Sequence, residues 1–464
     1  MRLKSLVWIG WAWALFCSAQ DTTAVLQFNT YLEYVAKHHP YGAAIDQISE
    51  QAKGQLLSAR GGFDPLLQSN FEQKDFDQKN YWQWWETKLK VPTWFGLSGY
   101  ASFDWMRGSF IDPSRTIPEM GLPAVGIEAS LLRGLIFDER RAMLRQAQQG
   151  LLAAEQERIE AWNELMLKAI KAYWDWSAAY RNVQVFATSV QVAERQYNSI
   201  KAAFELGEIP GIDTLDAFVL YQERQTGQLV AGQELLRSRL LLSTFLWRDR
   251  QTPMELPASV IPDEIRFDVS PALPSVDSLS SILPQADQSS PLLLRQQFQL
   301  AELEVERKLA VWNQLPVLNA RWNALYQESQ PSWFRNNYKI GLDFYMPLLL
   351  RKERGKRQEV EAKLTKAQMD YQFQRLGVRN QLLTLYNDWR NLGQQLDLLQ
   401  RMTGQLDALF RAEQRRFELG ESSVFLLNQR QQKFIEYKIK ETDVRRKLHQ
   451  KQAEFRALLG ELMR

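Results

Sequence analysis

The sequence predicts a mainly α chain with a smaller set of membrane β-strands, laid out as two structural repeats. Three observations carry this. The pentapeptide FELGE stands at 204–208 and again at 417–421. Two long tracts, Ala124 to Ile209 and everything after Pro347, contain no proline and can be helical throughout. Between helical tracts lie short alternating segments that carry tryptophan, in a chain with Trp 16 against His 3 and Cys 1.

The N-terminus reads separately. MRLK is a basic start, LVWIGWAWALFC an apolar run, and SAQD a polar turn with the small residue Ala19. That is the layout of a secretory signal peptide over 1–19. Cys17 lies inside it, and its loss leaves an exported chain with no disulfide to form. A lipid anchor on Cys17 is the less favoured reading, because Phe16 stands where such a signal wants a small side chain. The formal charge of +3 falls further without Arg2 and Lys4, too little for an electrostatic nucleic-acid binder. No later run is apolar for long enough to form a membrane-spanning helix.

The first repeat is assigned to 20–252, with helices near 24–60, 133–206 and 214–247. A connector over 253–290 is expected to be irregular, since seven of the 17 prolines lie between Pro253 and Pro291. The second repeat, 291–464, carries helices near 291–313, 351–418 and 424–460. Equal spacing separates Pro40 from Pro65 and Pro291 from Pro316, each proline pair bracketing a helical stretch. LLRG at 131–134 and LLLR at 348–351 then open charged helical tracts that run into FELGE. A helix of about 70 residues spans on the order of 100 Å. Ala169, Tyr173, Trp176, Tyr180, Val183, Ala187 and Val190 recur at heptad spacing, a coiled-coil seam.

The strand segments are LLQSNFEQKDF, GLSGYASFDW, AVGIEASLL, NARWNALYQ and NYKIGLDFYM. Trp82, Trp84, Trp85, Trp94, Trp105, Trp322 and Trp333 fall within or beside them, as aromatics at the lipid interfaces of an outer-membrane barrel do. Four or so strands cannot close a barrel within one chain, because the edges would leave unpaired backbone groups in lipid. Several chains must share one sheet, and three would supply about twelve strands. The insert 77–123 of the first repeat is either an additional hairpin or an enlarged surface loop.

With HP…ARGGFDP, LLRG, AYWDW at 172–176, FELGEIPGIDTLDA at 204–217 and FELGESSVFLLNQ at 417–429, the chain resembles the TolC-like outer-membrane efflux factor family. The resemblance covers nearly the whole chain beyond 1–19. It implies a trimer with a twelve-stranded barrel in the outer membrane of a Gram-negative bacterium, continued by a periplasmic α-helical coiled-coil barrel. It also implies a periplasmic adaptor protein and an inner-membrane efflux or secretion transporter as partners. Each FELGE segment resembles a helical turn at the periplasmic tip, where an adaptor docks and a gate opens. Gly207 and Gly420 suit the backbone that ends a helix. Asp213 and Thr214 in one half, and Ser422 and Ser423 in the other, are candidate N-caps. Ile212, Leu215 and Asp216, with Phe425, Leu426 and Asn428, complete the candidate docking and gate residues. Family members can ring this entrance with acids. Here VFLLNQ offers Asn428 instead, which leaves either a weaker ring of Asn428 or an apolar constriction near Phe425 and Leu426.

An enzyme is disfavoured. His38, His39 and His449 are the only histidines, and no phosphate loop, nucleophile elbow or spaced metal-ligand set appears, so no cofactor is expected. A passive porin fails because strands are a minority. The remaining alternative is a periplasmic coiled-coil scaffold or adaptor with no pore, which would not need tryptophan-rich strands in both halves.

Overall fold

The computed structural model describes residues 24–113, 117–326 and 337–462, and of 276–278 the backbone alone. The leading segment 1–19 with Cys17, and Trp333, lie outside the described residues. In chain order the elements are β1 (Val25–Leu26), α1 (Phe28–His38), α2 (Pro40–Gly61), β2 (Leu66–Phe76), β3 (Lys79–Pro92), β4 (Leu97–Arg107) and β5 (Leu122–Ser130). Next come α3 (Glu139–Glu205), α4 (Gly211–Ser243), β6 (Trp247–Arg248), β7 (Thr252–Pro253), β8 (Ile261–Pro262), α5 (Glu264–Asp268) and α6 (Val276–Ser289). The rest are α7 (Pro291–Trp312), β9 (Val317–Leu325), β10 (Tyr338–Tyr345), α8 (Arg351–Glu418) and α9 (Val424–Leu458).

The chain divides into two compact units, each drawing on both sequence halves. One comprises the residues up to Ala43, Trp162–Leu279 and Gln381 onward; the other comprises Ala44–Ala161 and Ser280–Asn380.

The second unit holds a six-stranded antiparallel sheet in the order β10-β9-β5-β4-β3-β2. This corrects the expectation of four strands in the chain. The insert 77–123 is neither idle nor a loop: it contains all of β3 and β4. Asp77 and Gln78 turn β2 into β3 with positive φ at both positions, as a tight two-residue hairpin requires. Arg141 anchors the passage from β5 to α3, donating to the carbonyls of Gly134, Leu135 and Ile136 and to Asp138 Oδ1. Gly134, at φ +101, and these bonds hold 134–136 out of the helix, so α3 begins at Glu139 and not near 133.

Two other expectations are corrected. The stretch 24–60 is two helices, because His39 precedes Pro40 and is held extended at ψ 128. The connector 253–290 is not irregular throughout. Asp263 caps α5 by accepting from the Arg266 N–H at 3.0 Å, and α6 follows with Pro284 inside it. Leu279 and Ala286, two turns apart on α6, are both buried, an apolar stripe that outweighs one lost backbone bond.

The first unit has an aromatic core. Tyr31, Tyr173 and Trp176 are closed to solvent among Met166, Leu242 and Phe267. The two tyrosine hydroxyls are satisfied: Tyr31 donates to the Ala169 carbonyl at 3.3 Å, and Tyr173 donates to the Leu26 carbonyl at 2.7 Å and accepts from the Asp263 N–H at 3.1 Å. Three members of the heptad seam, Ala169, Tyr173 and Trp176, are buried, while Tyr180, Val183, Ala187 and Val190 are half-buried.

Candidate functional site

Alternation along each strand, locked by the pairing register, sorts the sheet into two unlike faces. One row of partners is Phe71, Trp85 and Trp105; another runs Ala101, Val125 and Ala324; a third joins Ile127, Trp322 and Ile340. These stand on one face, which is mainly apolar, with Ser69 and Thr87 paired within it. Toward both edges it is also bare: Phe71 is 61% exposed, Ile340 66% and Phe344 66%. An exposed apolar surface this continuous is out of place in water and suited to lipid.

The opposite face is polar. Its residues include Asn70, Glu72, Lys88, Glu128, Asn319 and Asp343. Ion pairs tie its strands together, Lys90 to Glu128 at 3.3 Å and Arg321 to Asp343 at 2.5 Å. Tyr100 on β4 reaches across β5 to donate to Asn323 on β9. Only a glycine leaves room for that bond, since a Cβ on Gly126 would sit 2.3 Å from the Asn323 side-chain oxygen.

The tryptophans divide between the faces. Trp85, Trp105 and Trp322 stand on the apolar face, and Trp85 donates to the Ser69 hydroxyl at 2.8 Å. Trp82 and Trp84 alternate onto the polar face with Glu86 and Lys88. Trp94 is in the turn between β3 and β4, 75% exposed.

The two FELGE turns lie in the first unit and are built alike. Gly207 N–H donates to the Phe204 carbonyl and Glu208 N–H to Ala203; Gly420 N–H donates to Phe417 and Glu421 N–H to Arg416. Both glycines hold positive φ, +79 and +75, so each turn is a Schellman motif. The restarts differ. Ser423 caps α9, accepting from the Leu426 N–H at 3.3 Å, while Ser422 bonds Glu413 instead. α4 begins at Gly211 behind Pro210, so Asp213 and Thr214 lie in its first turn and are not caps. Asp213 there faces the positive end of the helix dipole. Around the turns, Leu206, Ile212, Leu215, Leu419 and Phe425 are each at least 60% exposed. Asp216 is exposed and Asn428 half-buried.

A buried ionic network in the same unit was not singled out from sequence. Arg445 donates to Glu441 at 3.0 Å, Thr403 donates to the other Glu441 oxygen at 2.9 Å, and Lys438 joins at 3.1 Å. Burial pushes the Glu441 carboxyl up, but Lys438, Arg445 and Thr403 more than reverse this and hold it below the usual range. His449 stacks on Trp174, centroids 4.1 Å apart, with Nε2 3.0 Å from the Phe267 carbonyl. Burial lowers its pKa to about 4, so it is neutral near pH 7. Its spacing from Arg445, one helical turn along α9, was the only signal available. Among the described residues no cluster of acids, histidines or cysteines is placed to hold a metal, and no helix is long and apolar enough to cross a membrane.

Residues 282–461 match the family model described as outer membrane efflux protein. No curated protein matches the sequence. Solved structures match closely in fold. The Campylobacter jejuni CmeC outer membrane channel is 11% identical with a TM-score of 0.66, the match covering 93% of this chain and 85% of that one. The outer membrane protein VceC from Vibrio cholerae is 12% identical with a TM-score of 0.65, covering 93% and 95%. The open state of the Neisseria gonorrhoeae MtrE outer membrane channel is 14% identical with a TM-score of 0.65, covering 93% and 88%. At such identities these likenesses speak for the fold, and the family model speaks for residues 282–461. Residues 282–461 carry the outer membrane efflux protein domain, and the chain as a whole has the fold of these outer membrane channels.

Proposed function

We propose that the protein is the exit duct of a tripartite efflux or type I secretion system. In this reading it passes substrates from an inner-membrane transporter to the exterior without acting on them chemically. The observation that carries it is the two-faced sheet: a bare apolar surface for lipid on one side, and an ion-paired polar surface for a water-filled lumen on the other. Three copies share one barrel in the outer-membrane lipid. The FELGE turns face the periplasm, where Leu206, Ile212, Leu215, Leu419 and Phe425 offer an adaptor protein apolar holds. Asn428, or Phe425 and Leu426, narrow the entrance until the adaptor spreads the helices. The fold does not suit a pore-free scaffold, which has no use for a bare apolar sheet face.

The test is extraction. Alkali-washed membranes should keep the protein until detergent releases a particle of three chains. Reconstituted, that particle should conduct ions, and Asn428→Asp should make it more sensitive to block by divalent cations. Release by alkali as a soluble monomer or dimer would replace the duct with the scaffold.

A further inference from the structure

Among the described residues the sheet ends in two unpaired strands, β2 and β10, which run in opposite directions because the meander has an even number of strands. A bare edge beside a lipid-facing surface has no water to satisfy it. The fitting occupant is a strand with the same two faces and the opposite direction, which is what the other edge of a second copy supplies. We infer that copies join head to tail, β2 of one against β10 of the next, in one register that sets Glu72 opposite Lys339. Three copies then close a barrel of eighteen strands. The inference rests on the three-chain duct proposed above; strand number and register are new to it.

The register follows from three constraints. A straight row across the sheet runs Leu66, Lys90, Tyr100, Gly126, Asn323, Lys339. In a closed barrel that row resumes on the next copy's β2 at a higher residue, and the rise per copy sets the strand tilt. An odd rise would put apolar residues beside polar ones, so only even rises keep the faces continuous. At about 3.3 Å per residue and 4.8 Å between strands, rises of four, six and eight residues over six strands give tilts of about 25°, 35° and 42°. Membrane barrels tilt by about 35–45°, which removes the first.

Charge separates the other two. A rise of eight puts Lys74 opposite Lys339, like against like. A rise of six puts Glu72 there. It also seats Phe71 beside Ile340 and Leu67 beside Phe344 on the apolar face. The first residue of β2, Leu66, meets the last of β10, Tyr345, so every residue of β10 finds a partner. The irregular pairing at Lys74/Asp75 falls beyond this contact. The join is heterologous and closes a ring rather than a chain of copies. At this tilt, eighteen strands enclose a barrel about 34 Å across between backbone centres, against about 22 Å for twelve.

Disulfide trapping in the full-length protein in its membrane tests this. Neighbouring rows alternate between hydrogen-bonded and closer non-hydrogen-bonded pairs, so one of two adjacent pairs comes within disulfide reach. The paired variants are Phe71→Cys with Ile340→Cys, and Glu72→Cys with Lys339→Cys, with each single variant as control. On oxidation, at least one pair should give a ladder ending at three chains on a non-reducing gel. Lys74→Cys with Lys339→Cys should link at least tenfold less. A detergent-dependent three-chain particle in which only that last pair links would overturn the register. A ladder ending at two chains would overturn the eighteen strands. Alkali release of the unaltered protein as a monomer is the separate result that removes the duct itself.

Discussion

The six-stranded sheet and the aromatic core of the other unit use large apolar side chains in opposite senses. Phe71, Ile340 and Phe344 stand more than three-fifths exposed, whereas Tyr31, Tyr173 and Trp176 are closed off. Composition does not separate the regions, since both are rich in aromatic and branched residues. The difference lies in the medium each was built for. In water, apolar area is stabilising only when packed away. In a bilayer it belongs outside, and polar groups gather on the inner, wet face.

The comparison can be broken at both ends. Trp176→Ala empties a fully enclosed site and should cost about 3–5 kcal/mol in denaturant unfolding of the detergent-solubilised protein. A loss under about 1 kcal/mol would mean that the core is not closed as described. Phe71→Arg should cost about 2–4 kcal/mol for folding into lipid vesicles, while Asn70→Arg, one residue away on the other face, should cost close to nothing. Equal penalties would remove the distinction between the faces. A smaller effect sharpens the watery side. His449 is held neutral by burial, with a folded pKa of about 4 against an ordinary 6.5. The unfolded chain takes up this proton first, so stability is complete above about pH 6.5 and falls as pH drops toward 4. The loss over that window is about 2–3 kcal/mol. His449→Gln should flatten the melting temperature over the same interval, and an unchanged slope would assign the acid sensitivity elsewhere.

Much of this organisation was legible in the sequence because it depends on local chemistry. α7 and α9 begin where Pro291 and Ser423 place them, and both FELGE glycines take the left-handed backbone that their position suggested. What escaped depended on partners distant in the chain. β3 alternates from Trp85 to Val91, with the charged Glu86, Lys88 and Lys90 between Trp85, Thr87, Leu89 and Val91. Its tryptophans at 82, 84 and 85 occupy both faces and blur that pattern. As a result the strand count fell short. The first turn of α4 was misplaced because Pro210 and Gly211 start a helix without a side-chain cap, and Asp213 looked like one. The Arg445–Glu441 pair is an ordinary i, i+4 pairing in sequence; only packing makes it a buried one. Of the turn residues, the sequence indicated the bend. What grips it lies outside the chain.

The pairing order of the sheet also governs how the protein is made. Every neighbouring pair of strands is consecutive in sequence except one: β5 pairs with β9, Ile127 opposite Trp322. All of α3 through α7 is synthesised between those two strands. Paired during that interval, β2 to β5 would be a meander with two open edges and one bare apolar face, the kind of intermediate that aggregates. Closing the seam late also carries the entropic cost of a long loop. A chain kept unpaired until both halves are made avoids that intermediate.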